Sequence, residues 1–322
     1  MKLSLSAIRS ITVGAVNVVE KEDGIHFFRF TQKQIDAFEA LRPHLYTFSQ
    51  CTAGVRLDFH TDSKTFKFTV SRGKQYEILI NDVFMYAYDL YNNDFTNNNT
   101  YSFSINLPES TNRVTLVLPS HADPGVITEL EIDDGATISR HIFDKKILFL
   151  GDSITQGAQS GVDSLSFAYR VSRFFNAESI IQGVGGAFFH ETIFDEALPF
   201  EPDIVISAYG TNDWGTHKSK EELAHHANAF LGAVKNRYGD RKLIGISPVW
   251  RADAEGVVKP LGTFEESCSA VKELILLNGF SLVEGNTLTP PRPEYYPDKV
   301  HPSGMCFSIY SENLIKQMLN II

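Results

Sequence analysis

The segment KILFLGDSIT, residues 146–155, decides the fold class of this chain. After Lys146, residues 147–150 form the continuous apolar run that is typical of a strand buried on both faces of a parallel sheet. Gly151 then begins a turn of small and polar residues, which places the Ser153 hydroxyl directly after the strand. Because open α/β sheets carry their sites at the carboxyl ends of the strands, the sequence predicts a functional serine at this position.

The second half of the chain continues this pattern of buried strands separated by helices. Further apolar runs lie at residues 179–182, 203–208, 242–247 and 280–284. Two of the intervening segments begin with a capping-box pattern, Ser219 with Glu222 and Thr263 with Glu266. Strands that alternate with helices form a doubly wound, parallel-sheet α/β/α layer, and we predict such a domain over residues 141–322.

The first half of the chain has a different periodicity. Val55, Leu57 and Phe59 alternate with polar residues, Arg56, Asp58 and His60 among them, and similar runs follow near residues 66, 101 and 114. Short alternating strands joined by polar turns are typical of an antiparallel β-sandwich, here of the jelly-roll-like kind. We predict this accessory domain over residues 1–140, with one helix near residues 31–41.

Two loops and a C-terminal segment carry the remaining polar groups that acyl-transfer chemistry needs. Asp298 and His301 lie three residues apart before a predicted C-terminal helix, so they offer a base and a carboxylate that orients it. Gly186 ends a glycine-rich loop after the second strand, and Asn212 follows the third strand. A glycine N–H and an asparagine amide can both donate to a developing oxyanion.

In this order the motifs GDSIT, GVGG, GTND and DxxH resemble those of the SGNH, or GDSL, hydrolase superfamily of esterases and lipases. The resemblance covers about residues 144–322 and implies a flavodoxin-like catalytic domain. By the resemblance Ser153 is the nucleophile, His301 the general base and Asp298 its orienting partner. The oxyanion hole is formed by the N–H groups of Ser153 and Gly186 and by the Asn212 side chain. The resemblance implies a carboxylic ester hydrolase that requires no cofactor.

Each motif has an ordinary structural interpretation when it is taken alone. Gly-Asp-Ser is common in turns, Asp298 could cap a helix, and Asn212 could belong to a simple turn. The functional interpretation depends on four motifs that follow one another in order, each beside a predicted strand or helix.

The aromatic residues near the motif loops are the candidates for substrate contacts: Phe188, Trp214 and Trp250. A β-sandwich before an SGNH domain also resembles two-domain carbohydrate esterases that remove acetyl groups, so the expected substrate is a small-molecule or glycan ester with a short acyl chain. Two alternatives stay open. One is a lipase or thioesterase that acts on longer chains, and the other is a carbohydrate-binding protein with secondary hydrolase activity.

Composition narrows the partners and the compartment. With 39 acidic and 29 basic residues the net charge is −10, which argues against nucleic acid and anionic membranes. The apolar runs are shorter than a membrane span, and the three cysteines fit a reducing compartment, so we expect a cytoplasmic protein. The ten histidines show no metal-ligand spacing, and His225 and His226 are expected at a helix surface. No metal site is predicted, and the oligomeric state is left open.

Overall fold

The computed structural model describes residues 1–96, 99–121 and 123–322, and its first part consists of two antiparallel sheets. One sheet contains β1 (Thr12–Val13), β4 (Arg56–Thr61), β9 (Asn112–Val117), β6 (Gln75–Ile80) and β7 (Val83–Asp89), paired in that order, with β11 (Ile138–Arg140) paired to β4. The other contains β2 (Asn17–Lys21), β3 (Gly24–Phe28), β10 (Val126–Ile132), β5 (Thr65–Arg72) and β8 (Tyr101–Asn106), again in order.

The two sheets enclose a core of aromatic and branched side chains. Phe59 from β4 and Phe66 from β5 are fully buried and meet edge to face with ring centres 5.5 Å apart. Phe68 and Tyr76 extend the same core. Helix α1 (Leu5–Ile11) adds Ile8 and Ile11 to it. The predicted β-sandwich is therefore confirmed.

The polar side of β4 does not face solvent, contrary to what its alternation predicts. Arg56 donates to the Ala177 carbonyl at 3.1 Å, and its guanidinium lies 5.5 Å from the ring centre of Tyr169. Asp58 is fully buried and pairs with Arg113 at 2.8 Å. Burial opposes the ionisation of Asp58, but these two arginines outweigh it and lower its pKa. The outer face of this sheet is covered because it packs against the second half of the chain.

That second half is built on a parallel sheet. Its strands are β12 (Lys145–Gly151), β13 (Ala177–Gly183), β14 (Ile204–Ala208), β15 (Lys242–Ile246) and β16 (Ser281–Val283). They pair in the order β13-β12-β14-β15-β16, the flavodoxin-like order, so β12 has a neighbour on each side and marks the point where the winding reverses. The predicted α/β fold and the predicted strands are confirmed.

Helices cover both faces of this sheet. They are α4 (Ser153–Gln156), α5 (Phe167–Phe174), α6 (Asp213–Thr216), α7 (Lys220–Tyr238), α8 (Phe264–Leu277) and α9 (Gly304–Ile321). Helices α5 and α9 share a core with Ile147 and Phe149, whereas α7 and α8 share one with Leu148 and Leu150. Thr263 caps α8 with a complete capping box. At α7 the Glu222 carboxylate accepts from the Lys218 N–H instead of completing the box.

Two helices from the first half of the chain belong to the core of the α/β layer. Helix α2 (Gln32–Leu41), close to its predicted position, and α3 (Pro43–Ser49) place Phe38 and Leu45 in the same cluster as the sheet residue Leu148. The buried Arg29 guanidinium donates to the carbonyls of Cys51 at 2.6 Å and Gly183 at 3.0 Å. It therefore fastens the end of α3 to the end of β13. None of the described helices is both long and apolar enough to cross a membrane.

Candidate active site

Ser153 is the first residue of α4 and follows β12 at the carboxyl edge of the parallel sheet. A Cβ added at Gly151 would come within 2.9 Å of the Ala208 carbonyl oxygen, so only glycine lets the chain turn this closely. Asp152 caps α4 by accepting a hydrogen bond from the Ile154 N–H at 2.9 Å. Ser153 is nearly buried, with 8% of the residue exposed.

The structure brings Ser153 together with the two residues before α9. The His301 Nε2 atom lies 2.7 Å from the Ser153 Oγ atom, and the His301 Nδ1 atom lies 2.7 Å from an Asp298 carboxylate oxygen. These residues are 148 positions apart in the chain at the serine step and three apart at the aspartate step. The arrangement can transfer the serine proton to an imidazole whose orientation is fixed by a carboxylate.

Asp298 is held as a carboxylate by its immediate surroundings. Partial burial acts to raise its pKa, but hydrogen bonds from the His301 N–H at 2.8 Å and the Val300 N–H at 3.0 Å, together with the imidazole, lower it overall. Gln159 also donates to it at 3.3 Å. An ionised Asp298 stabilises the imidazolium that forms when His301 takes a proton.

The three groups that the sequence predicts for an oxyanion hole each have a donor to spare. Within the described residues, the backbone N–H groups of Ser153 and Gly186 donate no hydrogen bond. Gly186 has φ 81°, which favours glycine. The Asn212 amide donates to the Ala187 carbonyl at 2.8 Å, and this leaves its second hydrogen unused. A hydrogen-bond donor is therefore free at each of these three positions, and their role as an oxyanion hole stays a prediction.

A buried acidic pair lies behind this site. Burial raises the pKa of Asp152 to about 7; the Ile154 N–H opposes this shift, and the nearby Asp213 carboxylate adds to it. Asp213 accepts from the Phe189 N–H at 3.0 Å and lies 2.9 Å from the His217 imidazole Nε2 atom. Asp213 therefore holds the loop that carries the candidate oxyanion donor Gly186.

Gln156 is a site residue that the sequence analysis missed. Its amide oxygen accepts from the Gly185 N–H at 2.7 Å, and its amide nitrogen donates to the Ser120 carbonyl at 2.7 Å. It thus ties the glycine loop to a loop of the β-sandwich. Only its position three residues after Ser153 hinted at such a role, since a buried glutamine requires partners for both amide atoms.

Helix α3 covers the glycine loop. A Cβ added at Gly186 would lie 2.7 Å from the His44 Nε2 atom, and one at Gly185 would lie 2.9 Å from the Phe48 ring. The Arg42 guanidinium lies over the Phe188 ring, 4.7 Å from its centre. Burial, and then the charge of Arg42, lower the pKa of His44, so its imidazole is neutral at pH 7. No motif in the sequence indicated these contacts.

The three aromatic residues that were predicted to contact the substrate differ in their exposure. Trp214 has no exposed surface, meets Phe264 edge to face at 5.3 Å and donates to the Gly262 carbonyl at 2.9 Å. It is a core residue and not an accessible wall, because α6 directs its ring inward onto α8. Phe188 is nearly buried, whereas Trp250 is half-buried and meets Tyr296 edge to face at 5.0 Å.

Comparison with known proteins agrees with this architecture. The sequence profile of the GDSL-like lipase/acylhydrolase family matches residues 149–304. No curated protein sequence matches the chain. Several solved structures share its fold, at sequence identities that establish the fold alone.

A salicylyl-acyltransferase, SsfX3, from a tetracycline biosynthetic pathway is 16% identical and has a TM-score of 0.81, covering 99% of this chain and 97% of that one. A candidate GDSL-like lipase from Bacteroides ovatus is 17% identical with a TM-score of 0.75, covering 98% and 97%. A family two carbohydrate esterase from Clostridium thermocellum, solved with cellohexaose, is 17% identical with a TM-score of 0.64, covering 83% and 92%.

The family match includes Ser153, the glycine loop, Asn212, Asp298 and His301, so every motif that carries the predicted resemblance lies within it. The match also covers most of the parallel sheet, from β12 to β16. The predicted resemblance is confirmed: residues 149–304 match the GDSL-like lipase/acylhydrolase family, and the chain is a carboxylic ester hydrolase.

Proposed function

We propose that the protein is a serine esterase that removes short acyl groups, acetyl above all, from carbohydrate esters. The observation that carries this proposal is the hydrogen-bonded row of Ser153, His301 and Asp298 beside backbone N–H groups that have no acceptor. A row of this kind activates a hydroxyl that is otherwise a poor nucleophile.

In the proposed cycle His301 takes the Ser153 proton as the Oγ atom attacks the ester carbonyl. The N–H groups of Ser153 and Gly186 and the Asn212 amide stabilise the negative charge on the carbonyl oxygen. His301 then gives its proton to the departing alcohol, and an acyl group remains on Ser153. Water attacks this acyl-enzyme by the same route and restores the free serine.

Crowding over the glycine loop supports a short acyl group. His44 lies against Gly186, and Phe48 lies against Gly185, so side chains of α3 occupy the space next to the candidate oxyanion donors. A longer chain would have to displace them or extend away from them. Arg42 stacked on Phe188 narrows the same side of the site.

A carbohydrate ester is supported by two observations. The fold is shared with the family two carbohydrate esterase from Clostridium thermocellum, which was solved with cellohexaose. In this chain Trp250 is half-buried beside Tyr296, and a partly exposed tryptophan can stack on a sugar ring.

The test is a comparison of kcat/KM for p-nitrophenyl acetate, butyrate and octanoate, followed by acetate release from acetylated cello-oligosaccharides. We expect the acetate ester to be the best of the three and the acetylated sugar to be turned over. Because each accepted methylene adds up to about 0.8 kcal/mol, a long apolar groove would give kcat/KM values that rise steeply with chain length. A maximum at octanoate would replace this proposal with the lipase or thioesterase alternative.

A second candidate is acyl transfer to an alcohol other than water. It is supported by the whole-chain structural likeness to the salicylyl-acyltransferase, which covers 99% of this chain. The same acyl-enzyme would serve both reactions, and only the second nucleophile differs. Product analysis with p-nitrophenyl acetate and added alcohols distinguishes them, because a transferase forms the new ester at alcohol concentrations that leave water in large excess.

We also propose residues 1–140 as an accessory domain and residues 141–322 as the catalytic domain.

The binding-protein alternative is tested on the full chain with the Ser153→Ala variant, which removes one hydroxyl. Glycan binding by this variant, without measurable turnover by the wild type, would favour a binding module. Binding together with turnover supports the esterase proposal with an accessory glycan contact.

We propose a cytoplasmic location on the basis of the thiols. Cys51 and Cys306 are free and buried, and burial raises the pKa of each to about 11, so neither is a reactive thiolate at neutral pH. Unpaired cysteines fit a reducing compartment. Fractionation of the producing cells tests this, and recovery of the protein outside them would contradict it.

A further inference from the structure

A group of histidines and glutamates gathers where the end of the loop that carries Gly186 meets the start of α7. It consists of His190, Glu191, His217, Glu222 and His226. The His226 ring stacks on His190 with centres 4.6 Å apart and on His217 with centres 5.4 Å apart. His217 is almost fully buried, and His226 is half-buried.

We propose that His217, Glu222 and His226 form a binding site for a divalent transition-metal ion of the Zn²⁺ type. One ligand atom from each of these residues lies within 4.8 Å of the other two, close enough for a shared ion after small side-chain movements. Two imidazoles and one carboxylate suit Zn²⁺, and they leave coordination positions for water.

In each of the two imidazoles, one ring nitrogen already contacts a carboxylate. The His217 Nε2 atom lies 2.9 Å from Asp213, and the His226 Nδ1 atom lies 2.5 Å from Glu191. Metal-binding histidines usually make this contact, which fixes the tautomer and the ring orientation. It leaves the Nδ1 atom of His217 and the Nε2 atom of His226 as the nitrogens that can bind an ion.

Glu222 completes the set from the first turn of α7. It is four residues before His226, so both side chains lie on the same face of the helix. One of its carboxylate oxygens accepts from the Lys218 N–H at 2.6 Å, which positions the side chain and leaves the other oxygen available.

A competing set consists of His190, Glu191 and His226, whose ligand atoms are also close together. It is less suitable because the His190 Nδ1 atom is engaged by Thr192, with the hydroxyl at 2.9 Å and the N–H at 3.4 Å. Glu191 is used to orient His226. The two sets predict different effects of substitution, so they can be separated.

A metal ion at this site would restrict the movement of the loop that carries the candidate oxyanion donor Gly186. Asp213 binds His217 and also accepts from the Phe189 N–H at 3.0 Å, in the loop that carries Gly186. No motif indicated the site, because His217 lies in the bend before α7 and its distance in sequence from His226 matches no common ligand spacing.

The test is a titration of the metal-free, untagged full chain with Zn²⁺, followed by calorimetry and by elemental analysis of the dialysed protein. His225 offers a matched control, because it is adjacent to His226, exposed, and outside the proposed set. We expect the wild type, His225→Ala and His190→Ala to bind one Zn²⁺ per chain. His226→Ala and Glu222→Gln should lose at least tenfold in affinity, and Glu191→Gln should lose roughly 10–100-fold.

Zn²⁺ should also raise the unfolding temperature of the wild type and of His225→Ala but not that of His226→Ala. Circular dichroism checks that each variant is folded. If His226→Ala does not fold, the test uses Glu222→Gln, which is a conservative change at the helix surface. Absence of Zn²⁺ binding by the wild type, or binding by His226→Ala and Glu222→Gln that is as tight as that of the wild type, would overturn the proposal. Loss on His190→Ala with retention on Glu222→Gln would replace it with the competing set. Because these measurements use binding and not turnover, they stand apart from the proposed esterase activity.

Discussion

The loops that carry the candidate catalytic residues and the helix pair α2–α3 meet at the same glycine loop, but they reach it by different means. Ser153 is held there by its neighbours in sequence, through the tight turn at Gly151 and the cap from Asp152. His44 reaches Gly186 from more than a hundred residues away, and nothing in its own segment marks it. The comparison shows that chemistry is encoded by local motifs, whereas the shape of the pocket is encoded by long-range packing.

The two regions also differ in what holds them. Asp298 and His301 are fixed by hydrogen bonds within a four-residue turn. Helix α3 depends on the buried guanidinium of Arg29, which donates to the Phe48 carbonyl at 3.2 Å and the Gly183 carbonyl at 3.0 Å. Burial lowers the pKa of Arg29 to about 10, which still leaves it charged at neutral pH.

The largest expected effect comes from substitutions in the motifs whose residues are held by their neighbours in sequence. Ser153→Ala and His301→Ala should each lower kcat for p-nitrophenyl acetate by roughly 10⁴–10⁶. The nucleophile and its base act as one unit, so the loss of either removes the activity of both. Asp298→Asn should cost less, since it only disturbs the orientation and charge stabilisation of the imidazole. Steady-state kinetics on purified variants measures this.

The control is the double variant Ser153→Ala with His301→Ala, which should be no slower than either single variant. Near wild-type turnover by Ser153→Ala would remove the serine from the mechanism. A larger loss for Asp298→Asn than for His301→Ala would require the two roles to be reassigned.

This difference also explains how far the sequence could predict the molecule. Parallel strands buried on both faces and helix caps depend on adjacent residues, so β12 to β16 and the cap at Thr263 could be predicted. The contacts of α3 could not, because a short helix with two polar residues near its start fits a solvent-exposed loop equally well. Gln156 was missed for the same reason, since its partners are distant in sequence.

The alternation of apolar and polar residues along a strand is also limited in what it can predict. It correctly predicts that Val55, Leu57 and Phe59 face the sandwich core, but it cannot tell whether the other face meets water or protein. Arg56 and Asp58 are buried because that face packs against the α/β layer, where paired charges are tolerated. Trp214 gave the opposite error, since its proximity to a motif said nothing about the direction of its ring.

A smaller effect is expected where the two regions share the oxyanion side. Asn212→Ala should lower kcat by roughly 10²–10³ with little change in KM, as for other lost oxyanion donors. The substitution also removes the hydrogen bond to the Ala187 carbonyl. A thermal unfolding curve therefore accompanies the kinetics, and a pure KM effect in a folded variant would make Asn212 a substrate-binding residue.

The pocket-shaping role of α3 should appear in specificity and not in chemistry. His44→Ala opens space beside Gly186, so the ratio of kcat/KM for butyrate to that for acetate should rise several-fold, up to about 0.8 kcal/mol for each methylene that is accommodated. Tyr46→Ala is the matched control on the same helix, because 38% of that residue is exposed. Equal ratios for both variants would show that α3 does not limit the acyl group, and the comparison between the two regions would then fail.

The smallest effect concerns the contact between the β-sandwich and the α/β layer, where the buried Glu77 of β6 lies near the half-buried Asp163. Glu77 accepts from the Ser164 N–H at 3.1 Å, and Asp163 accepts from the Ser120 N–H at 2.7 Å. Burial, and then the charge of Glu77, raise the pKa of Asp163 to about 8, from an ordinary value of 3.8 when the chain is unfolded.

The folded protein therefore binds this proton more tightly, and the stability it contributes is present below about pH 4 and lost as the pH rises towards 8. Asp163→Asn keeps a neutral group there, so the unfolding temperature of the variant relative to the wild type should increase steadily from pH 4 to pH 8, with kcat unchanged. Asp240→Asn, at an exposed position, should show a difference that is flat with pH. A flat difference for Asp163→Asn as well would mean that this carboxyl is ionised in the folded protein and that the contact between the two regions has no pH dependence of its own.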